Sequence, residues 1–141
     1  MKAGKIIAGL GAGLKARVFK KKSPLIVGWA LTYRCNRQCL YCHLWQKDSP
    51  ELSTQEVCGI IDFLARRGCL VVSFTGGEPL LRDDLGRILE FAHQKGIKTK
   101  VNSNGKLVKE RMRELKELDC LNLSLEGPED VQDMIRGKGA F

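Results

Sequence analysis

No stretch of eighteen consecutive apolar residues occurs in this 141-residue chain, so no segment is suited to crossing a membrane as a helix. The first 22 residues also lack the continuous apolar core and the small-residue cleavage site of a secretory signal. Acidic residues are missing from that stretch as well: Lys2, Lys5, Lys15, Arg17, Lys20, Lys21 and Lys22 stand there without one Asp or Glu. These absences lead us to expect a cytoplasmic protein. In that compartment its six cysteines read as thiols or metal ligands rather than as disulfides.

The missing acids also locate the charge. Seven of the eight net positive charges belong to residues 1–22, and the other 119 residues hold 17 basic groups against 16 acidic ones. A basic groove for nucleic acid across the folded body is therefore not supported. The basic leader is expected to be a solvated arm. Weak contact of a leader helix with an anionic membrane surface is the alternative, and four glycines within residues 4–13 count against it. With 43% hydrophobic and 28% charged residues, the chain can bury a core. The expected division is a leader over 1–22 and a folded body over 23–141.

That body has a rhythm. LIVGWALT (25–32) is an apolar run of strand length. STQEVCGIIDFLARRG (53–68) reads as a helix, with Ser53 and Glu56 forming a capping box, Val57, Ile60, Ile61 and Leu64 on one face, and Gly68 at the stop. CLVVSFT (69–75) is a second strand. A second helix follows over 83–96, with Leu85, Ile88, Leu89 and Ala92 on one face and Gly96 closing it. IKTKVNS (97–103) is a third strand, and KERMRELKEL (109–118), entered through Val108, is a third helix. LNLSLE (121–126) is a fourth strand, and EDVQDMI (129–135) opens a fourth helix. Strand and helix alternating four times predict an α/β fold with a parallel sheet and right-handed crossovers. Sites in such sheets lie at the carboxyl ends of the strands.

The connection from Tyr33 to Leu52 is far longer than a usual strand-to-helix loop, and long loops of this kind tend to be functional. It holds TYRCNRQCLYCHLW, with Cys35, Cys39 and Cys42 spaced three and then two residues apart. Zinc in a closed site wants four tetrahedral ligands, and the adjacent His43 is a poor fourth. An iron–sulfur cluster takes thiolates as its usual ligands. Three cysteines on a four-iron cluster leave one iron open for substrate or cofactor. Spacing alone favours the cluster, with zinc and unligated thiols as the remaining readings.

C-x3-C-x2-C with Tyr41 before the last cysteine resembles the cluster motif of the radical S-adenosylmethionine (SAM) enzymes. TGGEPLL (75–81) resembles the GGE segment of that family, and SNG (103–105) its Thr-Asn-Gly turn, with Ser103 replacing threonine. SLEG (124–127) resembles the Ser-x-Asp-Gly of its SPASM/twitch-type branch, with Glu126 replacing aspartate. RGKGAF (136–141) resembles the Arg-Gly-x-Gly-x-Phe segment of the same branch.

The resemblance implies a partial (β/α) barrel in which Cys35, Cys39 and Cys42 bind a 4Fe–4S cluster whose open iron takes SAM. It implies SAM contacts from Gly76, Gly77, Glu78, Pro79, Ser103, Asn104, Ser124 and Glu126, with Tyr41 near the adenine. Two glycines suit a strand end where a ligand lies against main chain. Asn122, Ser124 and Glu126 would form a polar stripe facing the lumen. The implied reaction is one-electron cleavage of SAM to a 5′-deoxyadenosyl radical that abstracts hydrogen from a small-molecule or peptide substrate. A flavodoxin or ferredoxin would be the reductant. The family core has six strand–helix units and this chain shows four strands, so the expectation is the amino-terminal part of such a core. Completion by a partner polypeptide or a second copy is the weaker alternative.

Peptide modification or cofactor maturation is the favoured outcome. Activity like the GTP 3′,8-cyclase of molybdenum cofactor synthesis is a weaker reading. A non-catalytic zinc or iron–sulfur module is the competitor from a different class. Cys58, Cys69 and Cys120 read as ordinary buried thiols, His93 as solvent-facing, and Trp29 and Trp45 as packing residues.

Overall fold

In the structure, a computed structural model describing residues 23–141, each strand but the last pairs with the next one in sequence. The expected basic leader lies outside the described residues. Strands β1 (Ile26–Thr32), β2 (Val71–Gly76), β3 (Lys98–Ser103) and β4 (Cys120–Leu123) form one sheet in the order β1-β2-β3-β4. All three pairings are parallel, as the alternation of strand and helix requires.

Helix α1 (Thr54–Arg66) begins at the expected capping box. The Glu56 N–H donates to Ser53 Oγ at 3.3 Å, and the Ser53 N–H donates to Glu56 Oε2 at 2.8 Å. It ends as expected too. Gly68 has φ +82°, and the Cys69 N–H reaches back to Leu64 O at 3.0 Å. Helix α2 (Leu85–Gln94) closes the same way at Gly96, with the Ile97 N–H on Ala92 O at 3.0 Å. Val57, Ile61 and Leu64 of α1 and Leu85, Ile88, Leu89 and Ala92 of α2 pack on Val72, Phe74 and Val101 of the sheet. Ile60, expected on the same face of α1, is instead at its exposed flank.

The third helix is shorter than its pattern suggests. It is one α-turn, α3 (Val108–Arg111), followed by a 3-10 turn over Met112–Leu115. Only Leu115 there is buried and no side chain caps the start. The 3-10 spacing also lets Arg111 meet Glu114 three residues on. Strand β4 stops before the expected end because Gln132 of α4 (Glu129–Arg136) takes over the main chain. Its Oε1 accepts from the Glu126 N–H at 2.8 Å, and its Nε2 donates to Ser124 O at 3.3 Å.

Gly59 lies in mid-α1 with nothing within 4 Å of where a Cβ would stand. Gly59→Ala is therefore expected to stabilise the fold by about 0.5–1 kcal/mol. A lowered thermal midpoint for that variant would show that the helix is not free on this side.

Candidate cofactor site

Four parallel strands bring their carboxyl-end loops to one side, and the cysteine loop leaves from β1. Both ends of that loop are pinned by one charged network. Arg34 Nε and Nη2 donate to the Glu51 carboxylate at 2.8 and 3.0 Å, and Thr32 Oγ1 donates to the same group. Arg82, buried, donates to Leu52 O at 3.0 Å and grips Asp84 with two bonds of 2.8 and 2.7 Å. Thr54 Oγ1 donates to Asp84 at 2.7 Å. The Arg34 guanidinium holds the Glu51 carboxyl below the usual range, with desolvation opposing it and Thr32 helping. Sequence reading missed this clasp, since nothing local marks residues that meet across 17 or 30 positions.

Cys35, Cys39 and Cys42 are all half-buried in the loop. A turn with the Cys42 N–H on Cys39 O at 3.0 Å brings the last two together. Burial pushes the Cys35 thiol up, the Arg37 backbone N–H pulls it back, and Glu78, Cys39 and Cys42 add repulsion. Among the described residues, no group of three or more His, Cys, Asp or Glu side chains is already gathered to hold a metal ion. His43 is exposed, at the start of a 3-10 turn over Leu44–Gln46. A donor set of three thiols from one loop fits a cluster with one open iron better than a closed four-ligand zinc site.

The GGE segment lies directly against this loop. The Gly77 N–H donates to Thr32 O and the Glu78 N–H to Arg34 O, both at 2.8 Å. A Cβ on Gly77 would stand 2.1 Å from Arg34 O, and one on Gly76 would stand 2.1 Å from Thr32 O. The expected reason for these glycines was space for a ligand. What occupies that space is the main chain of Thr32–Arg34, one residue ahead of Cys35.

Glu78 is fully buried. Its Oε1 accepts from the Leu80 N–H at 3.1 Å and its Oε2 from the Asn104 N–H at 2.8 Å. The carboxylate thus ties the loop after β2 to the loop after β3, while buried Pro79 begins the 3-10 turn Pro79–Leu81. Asn104 Nδ2 lies 2.7 Å from Asn36 Oδ1 and 3.9 Å from Cys35 Sγ. The SNG turn therefore touches the cysteine loop.

Ser103, for which the resemblance implies a SAM contact, is not on the polar side of the sheet. It is buried on the helix side of the sheet with Val101, and its Oγ accepts from the Gly105 N–H at 3.0 Å. The residue that faces the other side is Asn102. Its Nδ2 donates to Ser73 Oγ at 3.1 Å, and its Oδ1 accepts from Asn122 Nδ2 at 3.0 Å. Ser73, Asn102 and Asn122 form a polar ladder across three strands. The period-two pattern of KTKVNS carried the signal for Asn102.

Tyr41 and Glu126 are brought together, and they meet Arg136. The Tyr41 hydroxyl donates to Glu126 Oε1 at 2.7 Å, and Arg136 Nε donates to the same oxygen at 2.9 Å. Arg136 holds the Glu126 carboxyl below its usual range, with Tyr41 second. The Tyr41 phenol is pushed up to about 12 by desolvation and by its bond to Glu126. With the residue 58% exposed, the hydrogen bond is the firmer of the two causes.

Comparison with known proteins places this geometry. The chain is 41% identical over 129 residues to the Fe-coproporphyrin III synthase of Methanosarcina barkeri, covering 86% of this chain and 32% of that protein. It is 35% identical over 125 residues to the mycofactocin maturase MftC of Mycolicibacterium smegmatis, covering 84% of this chain and 32% of that protein. It therefore spans about a third of the length of these curated relatives. Among solved structures, SuiB of Streptococcus suis bound to S-adenosylmethionine superposes with a TM-score of 0.76 at 23% identity. That match covers 90% of this chain and 31% of SuiB, and it shows a shared fold. The family model for the radical SAM superfamily matches residues 29–141, and the chain belongs to that superfamily of enzymes, whose cofactors are a 4Fe–4S cluster and SAM.

Proposed function

We propose that this chain carries the cluster- and SAM-binding part of a radical SAM enzyme that modifies a peptide or matures a cofactor. One observation supports this most. The three-cysteine loop and the GGE loop are hydrogen-bonded together at the carboxyl ends of adjacent parallel strands. Cys35, Cys39 and Cys42 would hold the cluster. The polar side of the sheet, with Asn102, Asn122 and Ser124, would line the SAM pocket, and Asn104 and Glu78 would keep its floor in place. When bound, the cluster and SAM supply one-electron cleavage and hydrogen-atom abstraction; the residues here orient the pair and exclude water.

Relatives named as an Fe-coproporphyrin III synthase and as a mycofactocin maturase favour the cofactor-maturing or peptide-modifying branch. SuiB solved with its precursor peptide fits a peptide substrate. A flavodoxin- or ferredoxin-like reductant and a cytoplasmic location belong to the same reading.

Anaerobic loading with iron and sulfide, followed by EPR of the reduced protein with and without SAM, tests the reading. The expected result is a reduced-cluster spectrum that changes when SAM is added. A spectrum indifferent to SAM would remove the cofactor assignment. Zinc at one per chain with no cluster would move the chain to the metal-binding module.

A further inference from the structure

Beyond Arg136, the RGKGAF segment has no role in the site described above, yet it lies on the cysteine loop. Arg37, between Cys35 and Cys39, donates from Nη1 to Lys138 O at 3.3 Å and from Nη2 to Gly139 O at 2.6 Å. The Leu40 N–H, between Cys39 and Cys42, donates to Ile135 O at 2.9 Å. Both gaps between the three cysteines are therefore tethered to main-chain carbonyls about a hundred residues away.

The receiving segment is itself held firmly. Gly137 and Gly139, with φ of +94° and +70°, let the chain turn back after α4. Asp133 then accepts from the Gly139 and Ala140 N–H groups at 2.7 Å each and from the Phe141 N–H at 3.2 Å. Buried Gln132 sits behind it, with Nε2 at 3.5 Å from Ala140 O. Cys35, Asn36, Arg37 and Gln38 on one side and Arg136, Gly137 and Lys138 on the other line a shared cleft of ≈ 400 Å³. A planar fork engaging two successive carbonyls is work that arginine does and lysine, a point donor, does not.

We propose that residues 135–139 form a backbone latch on the cysteine loop, engaged by Arg37 as a positioning residue, and that the latch sets how firmly the loop retains its cluster. This rests on the cluster assignment made above. Its physical basis is preorganisation: a loop already held in one shape loses less conformational freedom when it binds and opens less often to release what it holds.

The test is iron release to a chelator from the anaerobically loaded chain, together with hydrogen exchange at the Leu40 amide in the metal-free chain. Arg37→Gln should speed both by about tenfold, since it removes two charge-assisted hydrogen bonds that water partly replaces. Its thermal midpoint should stay near that of the unaltered protein. Asp133→Asn loosens the latch from its far side and should act in the same direction. The double variant should be little faster than the faster single one, because both changes open one device. Arg37→Lys should keep the charge and still release iron faster.

Unchanged release and exchange in Arg37→Gln would overturn the latch. Additive effects of the two changes would also overturn it, as would losses that follow the thermal midpoint alone. If the unaltered chain took up no iron, the cluster assignment would fall instead, and Leu40 exchange would decide the latch.

Discussion

With the proposed cluster in place, Gly77→Ala should cost the protein its iron as well as its affinity for SAM. The added Cβ would stand 2.1 Å from Arg34 O, 2.6 Å from Arg34 C and 2.6 Å from Tyr33 O. All three are main-chain atoms, so no side chain can swing away to make room. The ends of β1 and β2 would have to part, stretching the bonds from the Gly77 N–H to Thr32 O and from the Glu78 N–H to Arg34 O. Overpacking plus two weakened buried bonds amounts to about 3–4 kcal/mol. For a domain of this size that lowers the thermal midpoint by roughly 10 °C. Arg34 directly precedes Cys35, so the displacement passes into the cluster loop. Had the glycines only left room for a ligand, iron content would survive the change. A Gly77→Ala chain with ordinary stability and iron content but no SAM binding would restore that simpler account.

Glu78→Ala is the second severe change. It removes the acceptor for two amides, Leu80 and Asn104, at a site with no solvent exposure. Each orphaned buried N–H costs about 1–3 kcal/mol, and the cavity adds to this. A total of roughly 3–5 kcal/mol would be a large part of the stability of an ordinary domain. Glu78→Gln keeps the shape but presents one carbonyl where two oxygens accepted, so its loss should be about half as large. Urea unfolding of the two variants measures this, and amide exchange at Asn104 shows whether the loop after β3 has come free. Normal unfolding of Glu78→Ala with SAM binding abolished would make the carboxylate a direct ligand rather than a tie between loops.

Much of this architecture was readable from residue order. The capping box at Ser53, the glycine stops at 68 and 96, and, Ile60 apart, the apolar lines of α1 and α2 are short-range patterns, and each is where the order of residues put it. The cysteine spacing and its place after the first strand were equally plain. The third helix is shorter than its pattern, because Val108, Met112 and Leu115 imitate a helical stripe of which only Leu115 is buried. The fourth strand is shorter than its pattern because the bond from the Glu126 N–H to Gln132 depends on where α4 comes to lie.

The interior of the site was another matter. Pattern singled out Gly76, Gly77, Glu78 and Ser103, but not the protein groups that each one touches. Two glycines make room for the backbone of β1, a carboxylate holds two loops, and a serine closes its own turn on the helix side. Helical and strand periods arise from neighbours a few residues apart, so a chain displays them in its own order. The approach of Gly77 to Arg34 exists only once parallel pairing has fixed the register of β1 against β2, and the seat of Arg37 on residues 138 and 139 only once all four strands are in order and α4 has packed. That register is a property of the packed sheet, and only the tertiary structure decided it.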